Sequence, residues 1–319
     1  MTFRLCRLYG TDVFIHWSWF LAAFFLIRDR PVMYTSRAWD VVEYLAGFGL
    51  VLLHELGHVW ACRRVGGTAD RVVLWPLGGL AFVAPPPRPG ATLWTTLAGP
   101  LVNLLWVPTL IGAAFLTAVA GPAGENSDLF RLFYALAWFN LFMLVFNLLP
   151  VFPLDGGRIL YAVLWWCFGR PAGLAIAATL GVVCAVGLGV FALARQDWWL
   201  VMVAAFLLLG ALGGVARSQL YARTRRAKRR TDRVCPNCGT PPPAGACWRC
   251  SRCLAWFDLI ESPGGCPKGG DHATAEWCLE CGRDLSAVGW IPVPAEPASP
   301  PAAAPDAQEG MTRPDPQTP

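Results

Sequence analysis

His54-Glu55-Leu56-Gly57-His58 lies inside a long apolar stretch. On a helix, residues four apart share a face, so His54 and His58 can grip one metal ion. Glu55 sits beside them, where it can take a proton from an attacking water and hand it to the leaving amine. Zinc suits this set, because imidazole nitrogen binds it well and it acidifies water at neutral pH. An HExxH string is a weak signal in a soluble protein. Within a hydrophobic helix it is stronger, since three ionisable side chains at membrane depth are costly and mark function; the bland alternative is an interhelical polar cluster. A catalytic zinc takes three protein ligands and keeps one position open. Asp155 is the best candidate for the third. It follows an apolar run between Pro153 and Gly156-Gly157, where a helix-breaking proline and flexible glycines let a short carboxylate turn toward a neighbouring helix. As a bare feature, Asp-Gly-Gly is a loop turn.

A second set of metal-ligating residues follows much later. Of the 12 cysteines, all but Cys6, Cys62, Cys167 and Cys184 fall between Cys235 and Cys281. Cys235 and Cys238, Cys250 and Cys253, and Cys278 and Cys281 form CxxC pairs, and Cys247, Cys266 and His272 compete for the remaining positions. Glycines beside such knuckles are typical of zinc ribbons. In a reducing compartment the pattern means metal rather than disulfides. Nine candidate donors allow one or two structural zinc ions, with the pairing open. So short a segment cannot bury much of a core, so the metal supplies the folding energy. The four scattered cysteines read as apolar packing residues.

The elements that must position these groups are membrane helices. The chain of 319 residues is 55% hydrophobic and 15% charged, against about 45–50% and 25% for soluble domains. A span needs roughly 20 apolar residues, and six candidates emerge: 11–28, 43–63, 92–120, 131–151, 171–194 and 198–217. The first is read as an uncleaved span, because no small-residue cleavage site follows it; its His16 reads as interfacial or packing. Residues 158–169 are too few to cross alone and extend the fourth span or lie beside it. Arg63, Arg64, Arg71 and Arg88 follow the second span, Arg158 and Arg170 the fourth, and a dense basic run the sixth. All three clusters share one side, so both termini are cytoplasmic by the positive-inside rule. The basic run within 217–233 reads as a cytoplasmic anchor rather than a nucleic-acid site.

Residues 71–83 do not look helical. Two β-prone runs flank Pro76 and Gly78-Gly79, which gives a hairpin dipping into the membrane, tolerable only if buried in protein or lining a cavity. The expected fold is therefore an all-α polytopic membrane protein of about six transmembrane helices with such a hairpin. It is followed by a small zinc-ribbon-like domain. The divisions are 1–217 for the membrane domain, 218–233 for a basic linker, 234–290 for the ribbon, and 291–319 for a Pro- and Ala-rich tail unable to bury a core.

Four elements in order resemble the site-2 protease family of intramembrane metallopeptidases, over about residues 10–220. They are His54–His58, the glycine-bearing Pro76–Ala81, Leu97–Leu105 around Gly99, Pro100 and Asn103, and Asn147–Gly157. Six spans without an inserted domain look like the subgroup of bacterial sporulation-factor proteases, though the ribbon replaces the nucleotide-sensing repeats of many relatives. The resemblance implies one catalytic zinc on His54, His58 and Asp155, with Glu55 as general base and acid. It implies cleavage of transmembrane or membrane-tethered regulators in a bacterial cell membrane. Asn103 and Asn147 either bind substrate backbone or the oxyanion, or make interhelical hydrogen bonds. Gly78 and Gly79 belong with the hairpin, which either offers a strand edge at 71–75 or 79–83 to an unwound substrate by strand addition or is a structural plug.

Two rival readings remain in view. A non-catalytic membrane adaptor retaining the fold has no chemical need for His54, Glu55, His58 and Asp155 together. A metal transporter needs polar residues on several spans, and the last two spans are nearly bare of them. The partners implied are the lipid bilayer, a membrane-protein substrate and an unidentified partner of the ribbon, with nucleic acid disfavoured.

Overall fold

The computed structural model describes residues 2–28, 33–76, 78–120 and 127–250, together with 253, 255–262, 266–268, 278, 280–281, 285 and 289–293. The chain opens on a sheet rather than a span. Thr2–Leu8 (β1) and Thr11–His16 (β2) form an antiparallel hairpin around Tyr9-Gly10, both at positive φ, the two-residue connection that matches strand twist. Ser18–Arg28 (α1) follows with 11 residues, about 17 Å long against a hydrocarbon core of about 30 Å. The first expected span, 11–28, is therefore half strand and half short helix. Its apolar run does not by itself separate the two periods; the Tyr9-Gly10 turn does.

Arg37–Arg64 (α2) is the central helix: half of its apolar window is buried, against 17% for Pro89–Val119. Thr68–Trp75 (β3) and Gly78–Ala84 (β4) form the expected hairpin, which joins the first one through parallel β2–β3 pairing, giving the order β1-β2-β3-β4. The all-α expectation thus needs a four-stranded sheet added. Val13 of β2 and Val72 and Leu74 of β3 pack on Val51, Val59 and Cys62 of α2. Arg63 fixes this seat, its Nη2 donating to Thr11 Oγ1 at 2.8 Å and to the Ala69 carbonyl at 2.7 Å. Since β3 is flanked on both sides, the edge at 71–75 is taken, and β4 is one of the sheet's two edge strands, with β1 the other, among the described residues.

Among the described residues, Pro89–Ala120 (α3), Asp128–Leu148 (α4), Arg170–Ala194 (α6, after α5 below) and Trp198–Arg226 (α7) complete five helices long and apolar enough to cross a membrane. Between α4 and α6 lies Asp155–Phe168 (α5), of 14 residues, too short to cross and separate from α4. Small residues close the α6–α7 contact, among them Ala177, Ala178 and Gly181 against Ala211 and Gly214, all buried. In lipid, such close approach rather than removal from water drives helix association.

α7 runs on to Arg226, so the first part of the expected linker is helix. Beyond it, Arg233–Val234 (β5) pairs with Ile291–Pro292 (β8), and Trp248–Arg249 (β6) pairs with Trp256–Phe257 (β7). Residues 291–293 thus belong to the ribbon rather than the tail; 294–319 lie outside the described residues. The basic run is engaged here. Arg223 stacks 4.4 Å from the Trp256 ring, Arg229 pairs with Glu280, and Arg230 with Asp258 and Glu261 at 2.8 and 2.7 Å. Burial alone would push the Asp258 carboxyl up. Hydrogen bonds from Arg230 and the Gly245 and Ile260 amides, with the Arg230 charge, hold it below its ordinary value.

Candidate active site

Successive turns of α2 place His54 and His58 on one face and Glu55 beside them, at 3%, 8% and 7% exposure. Opposite stands α3, and Gly99 is what allows the approach. A Cβ there would lie 2.3 Å from His58 Nε2 and 2.8 Å from His54 Nε2, so the two imidazoles rest on bare helix backbone. The Thr95 carbonyl, one turn earlier, accepts from His58 Nδ1 at 2.8 Å. That bond fixes the tautomer and turns Nε2 inward.

Asp155 reaches the pair from the far side. α4 ends at Leu148, and the following non-helical stretch is anchored by Leu154, buried against Ala185 of α6 and Leu207 of α7. Asp155 is the first residue of α5. Gly156 and Gly157 do not unwind the chain as expected: they are helical and buried. A Cβ on Gly156 would meet the Leu148 and Leu149 carbonyl oxygens at 2.3 Å, so glycine serves close packing there.

The three donor atoms converge. His54 Nε2 is 3.1 Å from His58 Nε2 and 3.1 Å from Asp155 Oδ2, and His58 Nε2 is 3.3 Å from the same oxygen. A tetrahedral ion with ligands at 2.0–2.1 Å sets its donors about 3.3–3.4 Å apart. Two imidazole nitrogens and a carboxylate oxygen at that spacing fit zinc. Glu55 is not in the cluster; its Oε2 accepts the backbone N–H of Ala81 on β4 at 2.8 Å. Gly79 lies against the same side chain, where a Cβ would come 2.3 Å from Glu55 Cγ. Gly78, at φ 142°, opens β4 with open space around it.

Asn103 is buried one turn beyond Gly99 on α3, with both side-chain polar atoms unpartnered among the described residues. Its carbonyl accepts from Asn140 Nδ2 at 2.9 Å. Asn140 is fully buried in α4 and was legible as an amide inside an apolar span. Asn147 is half-buried in the last turn of α4. The contributions of Thr95 and Ala81 are backbone groups and leave no mark in residue type. His16 lies on β2, its Nδ1 2.6 Å from Ser18 Oγ.

In the ribbon, Cys235, Cys238, Cys278 and Cys281 form one cluster, and Cys250, Cys253 and Cys266 a second, each with sulfurs within 4.8 Å of one another. Burial pushes the Cys235 and Cys278 thiols up, so a metal ion is what would hold them as thiolates. Cys247 shares a buried core with Cys250 and Cys266 but stands outside both donor clusters. His272 lies outside the described residues.

Comparison with known proteins finds zinc metalloproteases among those similar to this chain. The profile of peptidase family M50 matches residues 107–188. A zinc metalloprotease of Methanocaldococcus jannaschii is 33% identical over 209 residues, 65% of this chain and 59% of the relative. A protein of Synechocystis described as a putative zinc metalloprotease is 28% identical over 73% of this chain and 65% of its own length. Stage IV sporulation protein FB of Bacillus subtilis is 35% identical over 35% of this chain and 36% of its own. The chain thus spans 59% to 65% of the first two relatives. The solved site-2 protease from Methanocaldococcus jannaschii superposes with a TM-score of 0.50 at 29% identity, covering 67% of this chain and 95% of that one. By these matches the chain is similar to zinc metalloproteases of peptidase family M50 and, in its helical architecture, to a solved site-2 protease.

Proposed function

We propose that the protein is an intramembrane zinc endopeptidase that cuts transmembrane or membrane-tethered regulatory proteins. The observation that carries this reading is the buried cluster of His54, His58 and Asp155 with Glu55 beside it but not within it. Zinc, when bound, supplies Lewis acidity that lets water lose a proton at neutral pH. His54, His58 and Asp155 would hold it. The Glu55 carboxylate takes the proton from the attacking water and returns it to the leaving amine. The surrounding apolar packing keeps bulk water away and strengthens each electrostatic contact. A helical substrate hides its scissile carbonyl in its own hydrogen bonds and must unwind first. The free edge of β4, next to Glu55, can take up the released backbone groups by strand addition. An adaptor role finds no comparable support, because it has no chemical need for His54, Glu55, His58 and Asp155 together.

The ribbon would carry one structural zinc on Cys235, Cys238, Cys278 and Cys281, and a second on Cys250, Cys253, Cys266 and one further donor. It recruits or regulates rather than cuts, and both termini are cytoplasmic in this reading. Paired substitutions test the catalytic part. Glu55→Gln should keep its zinc and lose about 10²–10⁴-fold in turnover, whereas Asp155→Ala should lose zinc and activity together. Near-normal cleavage by the Glu55 variant, or full zinc at the membrane site of the Asp155 variant, would overturn the assignment.

A further inference from the structure

The ribbon does not hang from the membrane domain on a free tether. α7 runs to Arg226, and the residues after it are built into the ribbon. The Arg230 amide donates to the Pro242 carbonyl at 2.9 Å and the Ala244 amide to the Lys228 carbonyl at 2.7 Å. Ala227 packs on the buried core around Cys247 and Trp248. With no slack between them, α7 and the ribbon form one body. Arg170, the first residue of α6, reaches the metal-ligating end of that body from outside: its Nη1 donates to the Glu280 carbonyl at 3.1 Å, inside the Cys278–Cys281 knuckle. The rest of the guanidinium holds helices. Nη2 donates to Tyr221 Oη of α7 at 3.0 Å, the Tyr221 ring lies 4.0 Å away, and the Trp165 ring of α5 lies 5.3 Å away. A planar fork that is always charged suits such a junction, since it donates in its plane and stacks on aromatic faces.

α5 and α6 meet here through Gly169 alone, at φ 82°. Gly173 of α6 rests on the α5 backbone, where a Cβ would lie 2.6 Å from the Trp165 nitrogen. The corner is therefore stiff. α5 has 14 residues, a rod of about 21 Å, and its first residue is Asp155. Arg170 thus braces the far end of the helix that carries the third donor of the membrane cluster. On the other side of the junction, the Glu280 carbonyl stays aimed at Arg170 only while the knuckle keeps its shape. The ribbon's strands are two residues each, too short to hold that turn, so the holding falls to the cysteines and their ion. Resting on the reading that Cys235, Cys238, Cys278 and Cys281 carry a structural zinc ion, we propose that Arg170 couples this metal site to α5. Zinc in the knuckle braces the helix that presents Asp155, and loss of that zinc loosens the helix. The membrane site thereby responds to the zinc supply on the ribbon's side of the membrane. The knuckle that Arg170 grips belongs to the first cluster; Cys250, Cys253 and Cys266 form the other, and zinc there has no part in the coupling.

Amide hydrogen exchange read by mass spectrometry on the purified full chain in detergent tests this, with zinc counted on the same samples. Cys281→Ser should lose one zinc ion per chain, and the amides of 161–168 should exchange at least about tenfold faster, the scale of losing a hydrogen bond to a charged group. Arg170→Ala should keep the ribbon zinc and speed the same amides, and the two changes together should act no more strongly than the stronger one alone. Cys253→Ser, which empties the other cluster, should leave α5 at its wild-type rate. A packing role for Arg170 within the helices would leave α5 blind to every ribbon cysteine. Unchanged α5 exchange in a Cys281→Ser chain that has lost its zinc overturns the coupling and leaves the zinc reading standing. An equal effect from Cys253→Ser overturns it too, because α5 would then follow ribbon folding at large. Wild-type zinc content in Cys281→Ser removes the zinc reading and the coupling with it. Should Cys281→Ser fail to fold, the Asp155→Ala chain, whose remaining zinc lies in the ribbon, is stripped with a chelator and the same amides are followed; acceleration is expected, and its absence overturns the coupling.

Discussion

Replacing Gly99 with alanine adds one methyl group and should cost the protein its membrane-site metal. The new Cβ would stand 2.3 Å from His58 Nε2, 2.5 Å from His58 Cε1 and 2.8 Å from His54 Nε2. Heavy-atom contacts to carbon settle near 3.5 Å, so the two nitrogens would have to retreat by about 1.2 and 0.7 Å. Metal–ligand distances tolerate only about 0.2 Å. Moving α2 and α3 apart instead would give up their close packing at Gly57, where a Cβ would fall 2.7 Å from the Ala98 carbonyl oxygen. Loss of a single supporting contact typically weakens metal affinity about 10–100-fold. Displacement of two ligands should exceed the upper figure, at least about 2.7 kcal/mol. Chelator competition on the purified full chain would read this as the loss of one tightly bound zinc per chain, with the ribbon's zinc unchanged. Elsewhere in a helix, glycine to alanine stabilises by roughly 0.5–1 kcal/mol. A Gly99→Ala protein that is more stable and keeps its full zinc would therefore refute the packing argument.

Three further outcomes follow from the ribbon and the topology. Arg170 donates to the Glu280 carbonyl at 3.1 Å and to Tyr221 Oη at 3.0 Å, and stacks 4.0 Å from the Tyr221 ring. Arg170→Ala should weaken ribbon docking by about 1–3 kcal/mol, seen as faster limited proteolysis within 227–233; an unchanged rate counts against the docking role. Cys235 and Cys278 are 1% and 2% exposed, so a thiol reagent should modify them only after a strong chelator has stripped the ribbon, and equal labelling before and after would exclude structural metal. A cysteine introduced at Arg88 should react with impermeant reagent from the cytoplasmic side alone; labelling only from outside would invert the proposed orientation.

The parts of the site that lie in side-chain chemistry were legible in the sequence. His54, Glu55 and His58 announce themselves because ionisable residues within an apolar helix have no cheap alternative explanation. Asp155 could be singled out as a carboxylate at the end of a span. What could not be read is how the backbone carries them. The run from Val13 to Ile27 is apolar apart from His16 and Ser18, and a nearly continuous apolar run fits a buried strand as well as a helix; the deciding signal was the short Tyr9-Gly10 turn ahead of it. Gly156 and Gly157 were read for flexibility, the property glycine has in isolation, whereas in the folded chain they are helical and let α5 press against the end of α4.

The basic run shows the same limit from the other side. Its composition is that of a solvated juxtamembrane anchor, and the positive-inside rule reads it so. Yet Arg223, Arg229 and Arg230 each meet a partner in the ribbon, and Arg170, at the start of α6, meets the carbonyl of Glu280 inside the Cys278–Cys281 knuckle. Charge pattern alone cannot distinguish a free anchor from a docking strap, because the acidic and aromatic partners lie 28 to 51 residues further along: Asp258 for Arg230, Trp256 for Arg223, Glu280 for Arg229. The pairing becomes visible only once the ribbon folds back on the end of α7. It follows that the ribbon's position depends on the same arginines that the rule counts for orientation, so charge-reversal of Arg229 or Arg230 disturbs docking as well as membrane topology, and the two effects must be separated by assaying each.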